Sequence, residues 1–308
     1  MPDMPALASD VTLSGREVRC TVAAPCSAQE LALSLGMSRH SAAAAFARHE
    51  LSLASGEPLL AAARLSAGDG VVIALAATSQ SAPAPHVAPA KIVYRDPIFL
   101  AADKPAGQLV HGDGTGASTL TDAVCAALAA EGASAHPQAV QRLDVPTTGL
   151  VLFSLTEEFQ PALDALVSGH GMKKRYLAEV TGSFKEDQLT IDEPIGRDRH
   201  DSSRMRVCRP GQGKPAVTRV KTLARKSGKS LLLVELGTGR RHQIRVHLAA
   251  AGHPILGDTL YGGARDSRGL MLHAYEESFL HPLTGEPIKI CTEFPKRFES
   301  WHVQLQQG

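Results

Sequence analysis

The sequence predicts an α+β protein in two parts, on the strength of three observations. Short β-favouring runs bounded by glycine, proline or charged turns recur along the chain. Between them lie segments whose apolar residues repeat at helical spacing. A stretch rich in proline, alanine and serine, residues 77–91, divides a small N-terminal module (1–76) from a larger domain (92–308).

In the module, Ser27-Ala28-Gln29-Glu30 has the spacing of a capping box, in which serine and glutamate each satisfy a backbone N–H left open by the first helical turn. Leu31, Leu35 and a stop at Gly36 complete a short helix, and Ser38 starts a second that runs to about His49. Residues 51–53 and 71–75 read as strands, the latter after the tight Ala67-Gly68-Asp69-Gly70 turn. The expected order is helix, helix, small sheet. In the larger domain, residues 98–103, 149–155, 176–180 and 231–236 read as strands. Residues 157–168, capped by Thr156, and 241–251, stopped by Gly252, read as helices.

Composition narrows the function classes. The five cysteines are scattered without a C-x-x-C pair, which argues against a disulfide framework or zinc knuckle and favours a reducing cytoplasm. No stretch approaches the ~18 apolar residues of a membrane span, and the first ten residues do not read as a secretion signal. The formal net charge is only +1, so any nucleic-acid surface must come from uneven distribution. Residues 1–80 carry five arginines against seven acidic residues. Residues 197–229 carry eleven Lys or Arg against Asp198 and Asp201, with glycines and prolines that make part of the stretch a loop, and are the expected phosphate-tracking surface.

Two stretches carry candidate chemistry. In Val140-Gln141-Arg142-Leu143-Asp144-Val145-Pro146-Thr147-Thr148-Gly149, a loop punctuated by proline and glycine runs into an apolar strand, which presents Asp144 from a braced position. Read alone, Asp144 could equally close a turn or pair with Arg142. In Thr238-Gly239-Arg240-Arg241-His242-Gln243-Ile244-Arg245-Val246-His247-Leu248, the spacing puts Arg241 and Arg245 one turn apart at a helix start, with Ile244, Leu248 and Ala251 facing the core. Cations there oppose the helix dipole unless a phosphate or carboxylate is near. His242 and His247 are five apart with no glutamate after the first, so the zinc-protease pattern fails and no metal is expected.

Together these stretches resemble the signature motifs of the RluA-type pseudouridine synthases. The resemblance extends through Asp103-Lys104-Pro105-Ala106-Gly107, Lys174-Arg175-Tyr176-Leu177-Ala178, Gly257-Asp258, Tyr261-Gly262 and Leu272-His273-Ala274, across essentially the whole larger domain. It implies a synthase fold with a mixed, mainly antiparallel sheet, acting on structured RNA, and a catalytic trio of Asp144, Tyr176 and Arg245. Asp144 is the nucleophile, Arg245 its ion-pair partner, and Tyr176 lies beside the target base. Arg142, Gln141, Arg240, His242 and Leu272 are the implied substrate contacts, Arg142 at the flipped nucleotide and Leu272 shaping the pocket. The module more faintly resembles an alpha-L RNA-binding module, through Ser38-Arg39 and the Ala67-Gly68-Asp69 turn. Gln141 stands where the family usually has histidine, Thr148 where serine is common, and Arg241 where a small hydroxylated residue is common.

The chemistry suits such a site. Pseudouridine forms when uracil detaches from ribose, rotates and rejoins through carbon 5, with no redox change, so no cofactor is expected. A glycosidase needs two carboxylates because it activates water; retention of the base removes the water and leaves one carboxylate sufficient. The uridine must leave its stack, which favours loops and bulges of structured RNA. Chain length with an N-terminal module leans towards large-subunit ribosomal RNA over transfer RNA, and a monomer is expected. The rivals are a non-catalytic RNA-binding protein on a synthase fold, which has no need of the trio, and a nucleoside hydrolase, which needs a second acid.

Overall fold

The computed structural model describes residues 7–75, 87–133, 137–169 and 171–302. Most of the tether expected over 77–91 lies outside them. In the module, β1 (Ala8–Ser14), β2 (Glu17–Val22), β3 (Cys26–Ser27), α1 (Ala28–Ser34), α2 (Arg39–Ala47), β4 (Leu51–Leu53), β5 (Arg64–Leu65) and β6 (Gly70–Ala74) follow in order. A four-stranded sheet runs β1-β2-β6-β4. The first helix begins with the capping box read from Ser27, and the second is capped by Ser38 as expected, there also in a capping box, with Ser41. The expected helix–helix–sheet order misses β1 and β2, a hairpin that buries Val18, Cys20 and Val22 on one face.

The module packs directly on the larger domain. One continuous apolar cluster joins Leu31, Met37 and Leu51 to Phe99, Leu150, Phe159, Leu163 and Phe279. Arg48 reaches across to the buried Glu158 at 2.7 Å, and the Ser41 hydroxyl donates to the Glu158 carbonyl.

The larger domain contains β7 (Lys91–Arg95), β8 (Phe99–Lys104), α3 (Leu120–Ala130), β9 (Gln138–Ala139), β10 (Thr148–Ser154), α4 (Gln160–Ser168), β11 (Lys173–Thr181) and β12 (Gln188–Asp192). It continues with β13 (Ile195–Arg197), β14 (Met205–Val207), β15 (Val217–Lys226), β16 (Lys229–Leu236), α5 (Gln243–Ala250), β17 (Leu272–Leu280) and β18 (Pro287–Cys291). Ten strands form one sheet in the order β12-β15-β16-β11-β17-β10-β8-β7, with β18 on β17 and β9 on β10. All pairs are antiparallel except β10·β17, so the sheet is mixed and mainly antiparallel.

That parallel seam is only two residues long, Thr148↔His273 and Gly149↔Ala274, and it joins two half-sheets. Gly149 makes it possible. Its φ is +108°, and a Cβ there would stand 2.1 Å from the Ala274 carbonyl oxygen, so any other residue would push the halves apart. Behind the seam, Thr148 Oγ1 lies 2.8 Å from His273 Nδ1, and His273 Nε2 lies 2.8 Å from Thr292 Oγ1. Burial pushes the His273 imidazole down to about 3, so it stays neutral.

Three expectations shift. Helix α4 starts at Gln160 rather than 157, without a Thr156 cap, because Pro161 sets the first turn and Glu158 is drawn to Arg48. Helix α5 starts at Gln243 rather than Arg241, because His242 adopts a left-handed backbone, φ 56°. The basic stretch 197–229 is less loop than expected: it ends the β13·β14 hairpin and then forms the long β15, paired on both sides.

Candidate active site

The seam positions the loop that precedes β10. Asp144 begins a tight turn in which the Thr147 N–H donates to the Asp144 carbonyl. The adjoining Val145 carbonyl accepts from the Gly107 N–H and from Lys104 Nζ, both 2.9 Å. Lys104 is fully buried, and its ammonium also donates to the carbonyls of Gln108 (2.7 Å) and Pro105 (3.0 Å). Three donors thus meet three backbone acceptors, which fully uses the group. Burial pushes this ammonium down to about 8, against the pull of Asp144. Sequence reading quoted Lys104 within a motif but gave it no role.

From the opposite side comes α5. Arg245, buried, donates through Nη1 to Asp144 Oδ2 at 3.0 Å. Its Nε and Nη2 form a two-pronged pair with Asp258, at 2.7 and 2.8 Å. Burial works against the guanidinium charge, yet the two carboxylates outweigh it and raise the Arg245 pKa. These carboxylates are also the anions that a cation in the first turn of α5 calls for. Asp258, buried and thirteen residues downstream of Arg245, was missed as a site residue; its signal was the Gly257-Asp258 motif.

His242 completes this side, with Nε2 3.7 Å from Asp144 Oδ2. Burial lowers its pKa, opposed by Asp144 and reinforced by Arg245 and Arg241, so the ring is neutral near pH 7. Arg241 does not share a helical face with Arg245 as expected. It precedes the helix, exposed, and donates to the Ser203 carbonyl. Arg240 is held back by its Nε bond to the Pro215 carbonyl. Gln243, buried, ties the turn together: its amide accepts from Thr238 Oγ1 and Arg240 N and donates to Val217 O and Thr218 Oγ1.

The floor is the face of β11 and β17. Tyr176 pairs with Ala274 in register and is buried in an apolar cluster with Leu272, Ile244 and Leu248. Burial, then the charges of Glu277 and Asp144, raise the phenol pKa, so Tyr176 keeps its proton. Lys174 and Glu277 pair on the same face. Gln141 does not turn outward as a substrate contact. Its amide donates to the buried Glu277 in a short hydrogen bond, while Gln141 Oε1 and Glu277 Oε2 have no partner. Burial pushes the Glu277 carboxyl up to about 7, against Lys174 and Gln141. Nothing in the sequence marked Glu277. Arg142 is exposed at the mouth, and with burial it holds down the pKa of His111 across from it.

The structure therefore brings Arg245 and His242 to Asp144, buries Tyr176 and Leu272 together in the apolar cluster with Ile244, leaves Arg142 exposed, and turns Gln141 inward. Comparison with known proteins meets this geometry. The family model described as RNA pseudouridylate synthase matches residues 98–250, which span the Asp144 loop and α5. A ribosomal large subunit pseudouridine synthase D of Xanthomonas campestris is 35% identical over 261 residues, 79% of this chain and 77% of that one. The chain belongs to the RluA-type RNA pseudouridine synthase family. It is an isomerase that acts on RNA. An RNA pseudouridine synthase of Bacillus subtilis, YhcT, is 37% identical over 232 residues, 74% of this synthase and 76% of that one. Among solved structures, human RNA pseudouridylate synthase domain containing 4 aligns with a TM-score of 0.58 at 23% identity, over 70% of this synthase and 93% of that chain, a likeness of fold.

Proposed function

We propose that this synthase isomerises specific uridines in structured loops of ribosomal large-subunit RNA, with Asp144 as nucleophile. The observation that carries this reading is the ion pair: one Asp144 oxygen on a buried arginine that Asp258 fixes from behind. An arginine held this way keeps the Asp144 carboxylate aimed and poorly hydrated, which a nucleophilic carboxylate requires. Asp144 retains a side-chain exposure of 25%, enough to meet a nucleotide from the cleft. The flipped uracil lies against Tyr176, whose protonated phenol offers an aromatic face and a donor. Leu272 limits the depth of the pocket. Arg142, at the rim, contacts the backbone of the extruded nucleotide or fills the gap it leaves.

The ribosomal assignment is supported by the names of relatives such as the Xanthomonas enzyme. The basic hairpin β13·β14 and its flanks, with Arg199, Arg204 and Arg209 exposed, supply the sequence-independent phosphate contacts. The test is a transcriptome-wide pseudouridine map in cells lacking this chain, complemented with the intact protein or with Asp144→Asn. One or a few large-subunit sites should disappear and return only with the intact protein. If no site disappeared, the reading of a non-catalytic RNA-binding protein would gain ground; loss confined to transfer RNA would overturn the ribosomal assignment.

A further inference from the structure

One buried side chain beside the site has no part in the chemistry so far. Tyr261 closes a short 3-10 turn, Thr259–Tyr261, directly after Asp258, and is 8% exposed. Four contacts converge on it. The guanidinium carbons of Arg245 and Arg204 lie over its ring at 5.1 and 5.5 Å from the centroid. Its hydroxyl accepts from the Met205 N–H at 2.9 Å and stands 2.8 Å from His242 Nδ1.

These contacts join two elements that otherwise serve different ends. Arg204 and Met205 belong to the basic hairpin, and Arg245 and His242 to the start of α5. The hairpin's inner residues Ile195, Met205 and Val207 form a small apolar cluster with Val246 and Leu260, and Tyr261 is a buried member of it. The ring is thus the shared surface between an exposed arginine and the buried arginine that holds Asp144.

The hydroxyl continues the connection. Because it accepts from Met205, its own proton is free for His242 Nδ1. A neutral imidazole that accepts at Nδ1 carries its proton at Nε2, the nitrogen 3.7 Å from Asp144 Oδ2. Two hydrogen bonds therefore link the hairpin backbone through the phenol to the imidazole, whose Nε2 faces the carboxylate at 3.7 Å, beyond hydrogen-bond distance.

We propose that Tyr261 is a positioning residue that couples the seating of the basic hairpin on RNA, through its hydroxyl, to the orientation of His242 beside Asp144. The proposal rests on the reading of Asp144 as nucleophile and of the hairpin as a phosphate-contacting element. When a phosphate engages Arg204, the hairpin that supplies the Met205 N–H is seated, and the Tyr261 hydroxyl is held on His242 Nδ1 beside Asp144. A hairpin that served affinity alone would need no such link.

The test is a double-mutant cycle on a structured RNA transcript, with Tyr261→Phe, Arg204→Ala and both together. Tyr261→Phe keeps the ring and removes both hydroxyl contacts, and should lower kcat about tenfold, the scale of one or two hydrogen bonds. In the intact background Arg204→Ala should lower kcat at saturating RNA as well as raise KM; in the Tyr261→Phe background it should raise KM alone. Kcat effects that simply multiply would overturn the proposal. Should Tyr261→Phe not fold, Arg204→Ala decides by itself, because Arg204 is exposed and replaceable: an unchanged kcat would refute the coupling. Asp144→Asn is run in parallel. Its loss of turnover together with multiplicative kcat effects would reject only the coupling, whereas its retention of turnover would remove the nucleophile reading and the coupling with it.

Discussion

The Asp144 loop and the β13·β14 hairpin both meet the start of α5 and are built in opposite ways. The loop has no regular structure of its own, yet polar groups grip it from several sides: the buried Lys104 ammonium, the Gly107 N–H and the Gln141–Glu277 bond. The hairpin has regular strands only three residues long and carries Arg197, Arg204 and Arg209 outward and Arg206 half-buried, with a buried ring beneath. A group that must meet a reacting atom is held by interactions costly to break, because each broken one would leave a buried polar atom unpaired. A surface that follows a phosphate backbone gains from exposed, independently moving charges.

That contrast sets an order for mutations. Among the groups behind the nucleophile, Asp258→Asn should have the largest effect, since it leaves the buried Arg245 with half its compensation: kcat should fall about 100-fold with stability down by roughly 3 kcal/mol. Single-turnover rates and denaturant melts read the two separately, and a KM effect without a kcat effect would break the comparison. Lys104→Met comes next. It fills the same space but removes the donor to three carbonyls beneath the loop, of which, among the described residues, only Val145 keeps another in the Gly107 N–H, so stability should drop by roughly 2–4 kcal/mol and kcat about tenfold.

Replacing Arg204, Arg206 and Arg209 with serine should leave stability within about 0.5 kcal/mol while weakening RNA binding several-fold and flattening its dependence on salt. Filter binding across a salt series measures this, and an unchanged slope would remove the hairpin from the RNA surface. The last effect touches stability rather than turnover and concerns pH. Glu277 binds its proton more tightly when folded, about 7 against an ordinary 4.5. Its contribution to stability is therefore complete below pH 4.5 and lost as pH rises through about 7, a change of roughly 3 kcal/mol. Glu277→Gln should flatten melting temperature over that window; a slope equal to that of the intact protein would place the titration elsewhere.

Much of the site was legible in the sequence because its chemistry sits in short contiguous motifs. Asp144 and Arg245, 101 residues apart, meet as the resemblance implies, and Tyr176 joins them from β11. What was not legible follows from long-range pairing. Glu277 looks like any strand residue until β11 and the Gln141 loop close over it, and Lys104 looks like a surface lysine until Val145 and Gln108 present their carbonyls. The start of α5 was misplaced because helical spacing cannot reveal that His242 takes a left-handed backbone. The hairpin β1·β2 was missed because its alternation is interrupted by a bulge between Ser9 and Thr12 and a turn at Gly15-Arg16.

The most direct measurement of the central claim is single-turnover conversion of a structured large-subunit RNA fragment by purified Asp144→Asn, alongside its affinity for the same RNA. The carboxamide keeps the shape of the side chain and loses its charge and nucleophilicity. The account predicts that conversion disappears while binding stays within a few-fold of the intact protein. Conversion at the intact rate would contradict it, and the ion pair with Arg245 would then be a structural brace rather than the centre of the reaction.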